Sequence, residues 1–349
     1  MVGRCRRAAG PLAALLAVAA VAGCTSLITG RPVARLDGGS GTSGGTSSSG
    51  RPGTSSPPPE QAGANDLLGD LTTLDPCSLT DPHEFARFGT AKLGVPDSLD
   101  DCLVEIKNAD SEGITLYVGS LDRTDALPDL AAKRITELGG GLKAVEYDAD
   151  SGYCNNLLVF PDGITLSVNA SLFEGTEPML CDMVKAGMDK AVAVLRAGSV
   201  KHREFAGNSL GAMDPCSVVP DEARAAVPGL AQARPRTYPA RHDCAWTASD
   251  NSTRLRVMFT AGPAPRPTGP GATESSIAGR SSVLSPTPDA GDHVFCGAQT
   301  RHIEFRAAGR SGLVEIAAVF VRMRRGQVAA ACRAATAVAA SVWPRLPTP

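Results

Sequence analysis

The residues in this chain best placed to do chemistry are its ten cysteines and five histidines. Cys24 stands apart from the rest. It follows Val21-Ala22-Gly23 at the end of an apolar run, in the pattern of a bacterial lipobox. The chemistry of that pattern is thioether formation. A diacylglycerol joins the cysteine sulfur, the peptide bond before it is cleaved, and the new amine is often acylated. Two or three acyl chains hold a protein at a membrane where one is marginal. Cys5 leaves with the excised segment, so eight cysteines remain: Cys77, Cys102, Cys154, Cys181, Cys216, Cys244, Cys296 and Cys332. An even count in an exported chain reads as four disulfides. Structural zinc sites pair ligands two to four residues apart. The nearest pair here is 25 residues apart, so neither a metal nor another cofactor is expected.

The histidines are His83, His202, His242, His293 and His302. None lies in a His-Glu-x-x-His arrangement. No Gly-x-Ser-x-Gly elbow joins a strand to a helix, and no phosphate-cradling loop is present. No catalytic residue follows from the sequence. His242-Asp243 and Asp292-His293 each stand just before a cysteine strand. If a sheet joins them they form a polar cluster, which makes His242 and His293 candidate binding residues. Trp246 reads as an anchor at the core or rim beside Cys244, with a binding platform as the alternative.

Residues 1–23 have the three parts of a secretory signal. Arg4, Arg6 and Arg7 make a positive start, and Pro11 to Ala22 make an apolar run of 12 residues. That run is well short of the roughly 20 needed to span a bilayer as a helix. Excision removes three arginines and no acid, taking the formal charge from −2 to −5. An acidic chain of this kind has no nucleic-acid footprint and no long-range attraction to anionic headgroups. Residues 24–65 read as the lipidated start and a Gly/Ser/Thr/Pro tether. From Asp37 to Ala64 it has almost no apolar side chain to offset the entropy of ordering. Its 28 residues from Asp37 to Ala64 span roughly 30 Å as a coil.

The rest of the chain is one unit written twice. Leu74-Asp75-Pro76-Cys77-Ser78-Leu79 recurs as Met213-Asp214-Pro215-Cys216-Ser217-Val218. Cys102 to Cys154 and Cys244 to Cys296 are both 52 residues. The boundaries read as 66–200 and 201–348. Each Asp-Pro suits a helix N-cap followed by proline at the first helical position. Apolar residues alternate after Cys102 and Cys244 and again after Cys154 and Cys296, predicting antiparallel strand pairs. Cys181 and Cys332 head apolar stripes at helical spacing, predicting a closing helix packed on the sheet. Between these, the spacing predicts a helix over 125–138, stopped by Gly139-Gly140-Gly141. The Pro/Gly/Ser/Thr-rich residues 261–292 are expected to form a long loop in the second unit. The fold class is α+β: two tandem similar domains, each an antiparallel sheet against helices and stapled by two disulfides.

On these residues the chain resembles a family of actinobacterial lipoproteins carrying a four-cysteine domain of unknown function. Cys216, Cys244-Ala245-Trp246, Cys296 and Cys332-Arg333-Ala334-Ala335 match its pattern, as do Cys77, Cys154 and Cys181. Cys102-Leu103-Val104 departs from it, lacking the tryptophan. The resemblance covers nearly all of residues 70–347 and brings no activity with it. A lesser likeness, to the double-disulfide extracytoplasmic sensor of a mycobacterial Ser/Thr kinase, implies a pocket-bearing binding domain. Four cysteines in a unit permit three pairings. The favoured order is first with second and third with fourth, which ties an opening helix to the next strand and a late strand to the closing helix. The family resemblance supports the same order.

Two functional readings follow, and a third trails them. The domains bind a small hydrophobic ligand, a cell-wall component or another envelope component. Alternatively they dock an envelope protein as an accessory subunit. A hydrolase of an envelope substrate comes last. A deep apolar pocket with convergent polar groups favours the first; a wide exposed patch favours the second. In each reading the chain is lipid-anchored on the extracytoplasmic face of the cell membrane.

Overall fold

The same local chemistry opens both repeats. In the computed structural model Asp75 accepts a hydrogen bond from the Cys77 N–H at 3.2 Å, and Asp214 accepts one from the Cys216 N–H at 2.8 Å. The structure describes residues 61–108, 113–127, 133–147, 152–172, 179–307 and 310–349, side chains at 288–290 excepted. Cys24, the signal and most of the tether lie outside the described residues.

In the first repeat, α1 (Ala64–Leu68) and two short 3-10 helices (Pro76–Leu79 and Pro82–Phe88) lead into the sheet. Its strands are β1 (Thr90–Leu93), β2 (Asp101–Lys107), β3 (Ile114–Arg123), β4 (Arg134–Gly139), β5 (Leu142–Glu146), β6 (Tyr153–Val159) and β7 (Ile164–Leu172). The helix α2 (Leu180–Arg196) closes it. The second repeat has α3 (Pro215–Val218), α4 (Asp221–Ala225), then β8 (Arg236–Thr237), β9 (Asp243–Thr247), β10 (Arg254–Pro263), β11 (Thr273–Ile277), β12 (Arg280–Ala290), β13 (His293–Glu304) and β14 (Leu313–Arg324), closed by α5 (Val328–Val342).

Both sheets have seven antiparallel strands. The first runs β1-β2-β3-β7-β6-β5-β4 and the second runs β8-β9-β10-β14-β13-β12-β11. Strand for strand these orders are the same, so the duplication extends to topology. Alternation places Cys102, Val104 and Ile106 inward on β2, and Cys244 and Trp246 inward on β9, as a one-sided sheet requires. The helix α2 lies on β6 and β7, and α5 lies on β12, β13 and β14. Each helix buries one apolar stripe there.

The repeats are sewn together along a seam. Leu99, from the first repeat, is buried in the second core, and Ala240, from the second, belongs to the first core. Leu74 bridges His202. The Arg203 guanidinium donates to the Leu99 carbonyl at 2.6 Å and to Asp75 at 3.2 Å. Thr260 donates to the Asp97 carbonyl and Arg310 to the Leu93 carbonyl, both at 2.5 Å.

Three expectations need correction. Of the helix over 125–138 the described residues hold only the end of a 3-10 turn, Thr124–Ala126, and residues 128–132 lie outside them. Residues 134–139 form strand β4, paired with β5. The glycines at 139–141 all have positive φ. That freedom serves a hairpin turn as readily as a helix stop. Residues 261–292 are not a loop, since they hold the end of β10 and the β11–β12 hairpin. Ala278 and Gly279 both have positive φ, the signature of a two-residue type I′ turn. Pro286 lies beyond the part of β12 that pairs with β11, where no ladder on that flank is broken. Finally, Ala64 belongs to the fold rather than to the tether. It is fully buried, and its N–H donates to Asp162 at 2.8 Å.

Candidate functional site

The eight cysteines form four bridges, Cys77–Cys102, Cys154–Cys181, Cys216–Cys244 and Cys296–Cys332. Each repeat holds its own two, and each ties the elements expected from the sequence. Trp246 is 3% exposed and packs in the second core opposite Leu255, the position of a core anchor.

The sheet does not join the two histidine pairs. His293 lies on β13 opposite Arg324. His242 lies at the seam, 3% exposed. Its Nδ1 is 2.5 Å from Asp100 Oδ1 and its Nε2 is 3.0 Å from the Gly211 carbonyl. A carbonyl only accepts, so Nε2 donates. The imidazolium form donates at both nitrogens. Burial opposes that charge, but the Asp100 carboxylate, its hydrogen bond and the Gly211 carbonyl raise the pKa above the usual imidazole value, with Arg203 opposing. Asp101, next in the chain to Asp100, is half-buried, with its Oδ1 buried and unpaired. Burial pushes its carboxyl up to about 6, against a Ser120 hydrogen bond and with help from Asp100 and Asp97. Gly119, at the bulge in β3 opposite Asp101, has φ +143°, and a Cβ there would stand 2.1 Å from the Asp100 carbonyl. Both imidazole nitrogens are occupied, and Ser120 is hydrogen-bonded to Asp101. The geometry of this cluster is that of an interdomain clasp.

An open groove of about 320 Å³ lies elsewhere, where β4, β5 and β6 splay from α2. Leu138, Ala144, Met188 and Val192 give it an apolar floor; Thr136, Glu146, Asn156, Lys185, Asp189 and Arg196 are its polar lining. Arg196 donates to the Leu138 carbonyl at 2.7 Å, tying the last turn of α2 to β4. Lys185 pairs with Asp189 at 3.2 Å on the rim. Glu146 is held by Arg134 at 2.9 Å. The volume is at the small end of the range for ligand pockets, about 300–1,000 Å³.

The second repeat shows what closes such a groove. Placing Cys181 on Cys332 puts Val192 on Trp343. The strand register puts Ala144, opposite Leu158, on Ser282, opposite Thr300. Trp343 is 1% exposed and its indole N–H donates to the Ser282 hydroxyl at 3.0 Å. The chain then continues along the same side. Arg280 donates to the Pro347 carbonyl at 2.6 Å, Asn208 donates to the Thr348 carbonyl at 3.1 Å, and Leu346 is buried. One copy is filled by its own C-terminal segment and the other is open. The groove is not legible in the sequence because one wall, β4, has helical spacing of its apolar residues. The signal available was the Val192/Trp343 mismatch at matched distance from the fourth cysteine.

No family model matches the chain, and no curated protein matches it. Among solved structures, DynU16, a protein of the dynemicin biosynthetic locus, aligns at 12% identity over 82% of this chain and 95% of its own, with a TM-score of 0.16. The di-domain ARO/CYC StfQ of the steffimycin biosynthetic pathway aligns at 11% identity over 78% and 90%, with a TM-score of 0.15. Scores of this size establish no shared fold.

Proposed function

We propose that this protein is a non-catalytic lipoprotein of the actinobacterial family it resembles, anchored through Cys24 on the outer face of the cell membrane. In this reading the first repeat carries the binding site, and its groove takes a small, mainly apolar ligand of the envelope. The supporting observation is the asymmetry between the copies. Val192 and Ala144 leave space where Trp343 and Ser282 close it. Apolar floor and polar lining together suit a ligand with a hydrophobic body and a few polar groups. The second repeat, filled by its own chain, serves as the rigid support across the seam.

Native purification followed by mass spectrometry tests this reading. The expected result is a copurifying small envelope lipid or glycolipid. A protein that carries nothing, and whose melting temperature no envelope lipid fraction moves, contradicts it. The anchor is tested separately: Cys24→Ala should abolish fatty-acid labelling and release the protein from membranes.

A further inference from the structure

On the outer face of the second sheet, away from its core, one row of the register reads Thr247, Arg254, Arg322 and Phe295. Arg254 and Arg322 are direct partners across β10 and β14. Like charges directly opposite each other destabilise a sheet, and a buried charge without a counter-ion is costly. Neighbouring arginines on this face are neutralised. Arg256 is held by Asp243 at 2.6 Å and Arg324 by Asp250 at 3.1 Å. Among the described residues neither Arg254 nor Arg322 has a carboxylate partner. Arg254 donates Nη2 to the Tyr238 hydroxyl at 3.2 Å. Arg322 donates Nη2 to Asn251, at 2.6 Å to the side-chain oxygen and 3.1 Å to the carbonyl.

These acceptors are neutral, and the Nε–H of both arginines is buried with no acceptor. Arg322 is only 5% exposed, and burial together with Arg254 lowers its pKa. His293 lies at the same end of the face. Burial and Arg322 lower its pKa, with Arg324 adding to this and Asp292 opposing. It adds no competing acid. Two adjacent guanidinium forks with unmet donors match the oxygens of a phosphate, which arginine binds in bidentate fashion.

We propose that Arg254 and Arg322 form a binding site for a phosphate oxyanion, with partly exposed Arg254 as the movable lip and Phe295 as its apolar flank. The shared chemistry is the phosphate group, carried by a phospholipid headgroup or by a soluble or glycan phosphate. This site is independent of the groove in the first repeat.

The test uses the full chain in detergent at constant ionic strength. Inorganic phosphate is titrated against chloride while melting temperature is followed, for wild type, Arg254→Gln and Arg301→Gln, the last being an exposed control on the same sheet. The proposal expects a saturable rise in the wild type and in Arg301→Gln. In Arg254→Gln the affinity should fall about tenfold or more, with one bidentate partner gone. If Arg254→Gln does not fold, Arg254→Lys keeps the charge without the fork and should weaken phosphate several-fold. No saturable response in the wild type, or an equal response in the Arg254 variant, overturns the proposal. Flotation of the Cys24→Ala chain, which lacks the acyl anchor, with phosphatidylglycerol against phosphatidylcholine vesicles then separates the sources. A preference for phosphatidylglycerol that Arg254→Gln removes assigns the headgroup, and phosphate binding without that preference assigns a soluble or glycan phosphate.

Discussion

Trp343 donates its indole N–H to the Ser282 hydroxyl at 3.0 Å, in the place where the first repeat sets Val192 near Ala144. The bond satisfies the polar end of a large buried ring, as burial of tryptophan demands. Trp343→Val should therefore recreate in the second repeat the groove of the first. Truncating a buried aromatic costs about 3 kcal/mol or more, so urea unfolding should show a clear loss of stability. An unchanged unfolding midpoint would mean that Trp343 does not close a groove.

The clasp at His242 makes stability depend on pH. Its folded pKa is raised, so its contribution is complete below the ordinary imidazole value near 6.5 and is lost as pH rises through the raised folded value. The urea midpoint should fall across that range, and His242→Gln should flatten the fall. A midpoint that rises with pH in that window argues against the charged clasp.

Asp101 acts in a lower window with the same sign. Its folded pKa of about 6 stands above the ordinary carboxyl value of 3.8, so stability declines as pH rises through about 6. Asp101→Asn removes the buried charge and keeps an acceptor for Ser120. At pH 7 it should stabilise the fold, by up to about 3 kcal/mol, and by little at pH 3. Destabilisation at pH 7 would show that the carboxylate has a partner it needs.

Leu99 couples the repeats because it sits in the core of the other one. Leu99→Ala should cost about 2–5 kcal/mol and lower the melting of both sheets together. Hydrogen exchange resolved by strand is the measurement. Loss of protection confined to one repeat would show that the seam is not cooperative.

The parts of this fold legible in the sequence are those with a local cause. Asp75-Pro76 and Asp214-Pro215 announce their caps, alternation announces β2, β3, β6 and β7, and the stripes at Cys181 and Cys332 announce the closing helices. The edge hairpins were not legible. Ile135 and Leu138 fit helical spacing, and β4 is an exposed edge strand with no alternating pattern to oppose that reading. On β11 the serines and threonines look like loop because an exposed edge strand needs no apolar face. The groove was hidden for the same reason, and the clasp because Asp100 and His242 are 142 residues apart.

If the first groove is a ligand site because it lacks the plug of the second, adding that plug should empty it. Val192→Trp transfers that plug. Native mass spectrometry of the wild type and of Val192→Trp, purified alike and matched for melting temperature, tests it most directly. The wild type should carry a bound small molecule and the variant none. The same molecule retained at equal occupancy on Val192→Trp would contradict it.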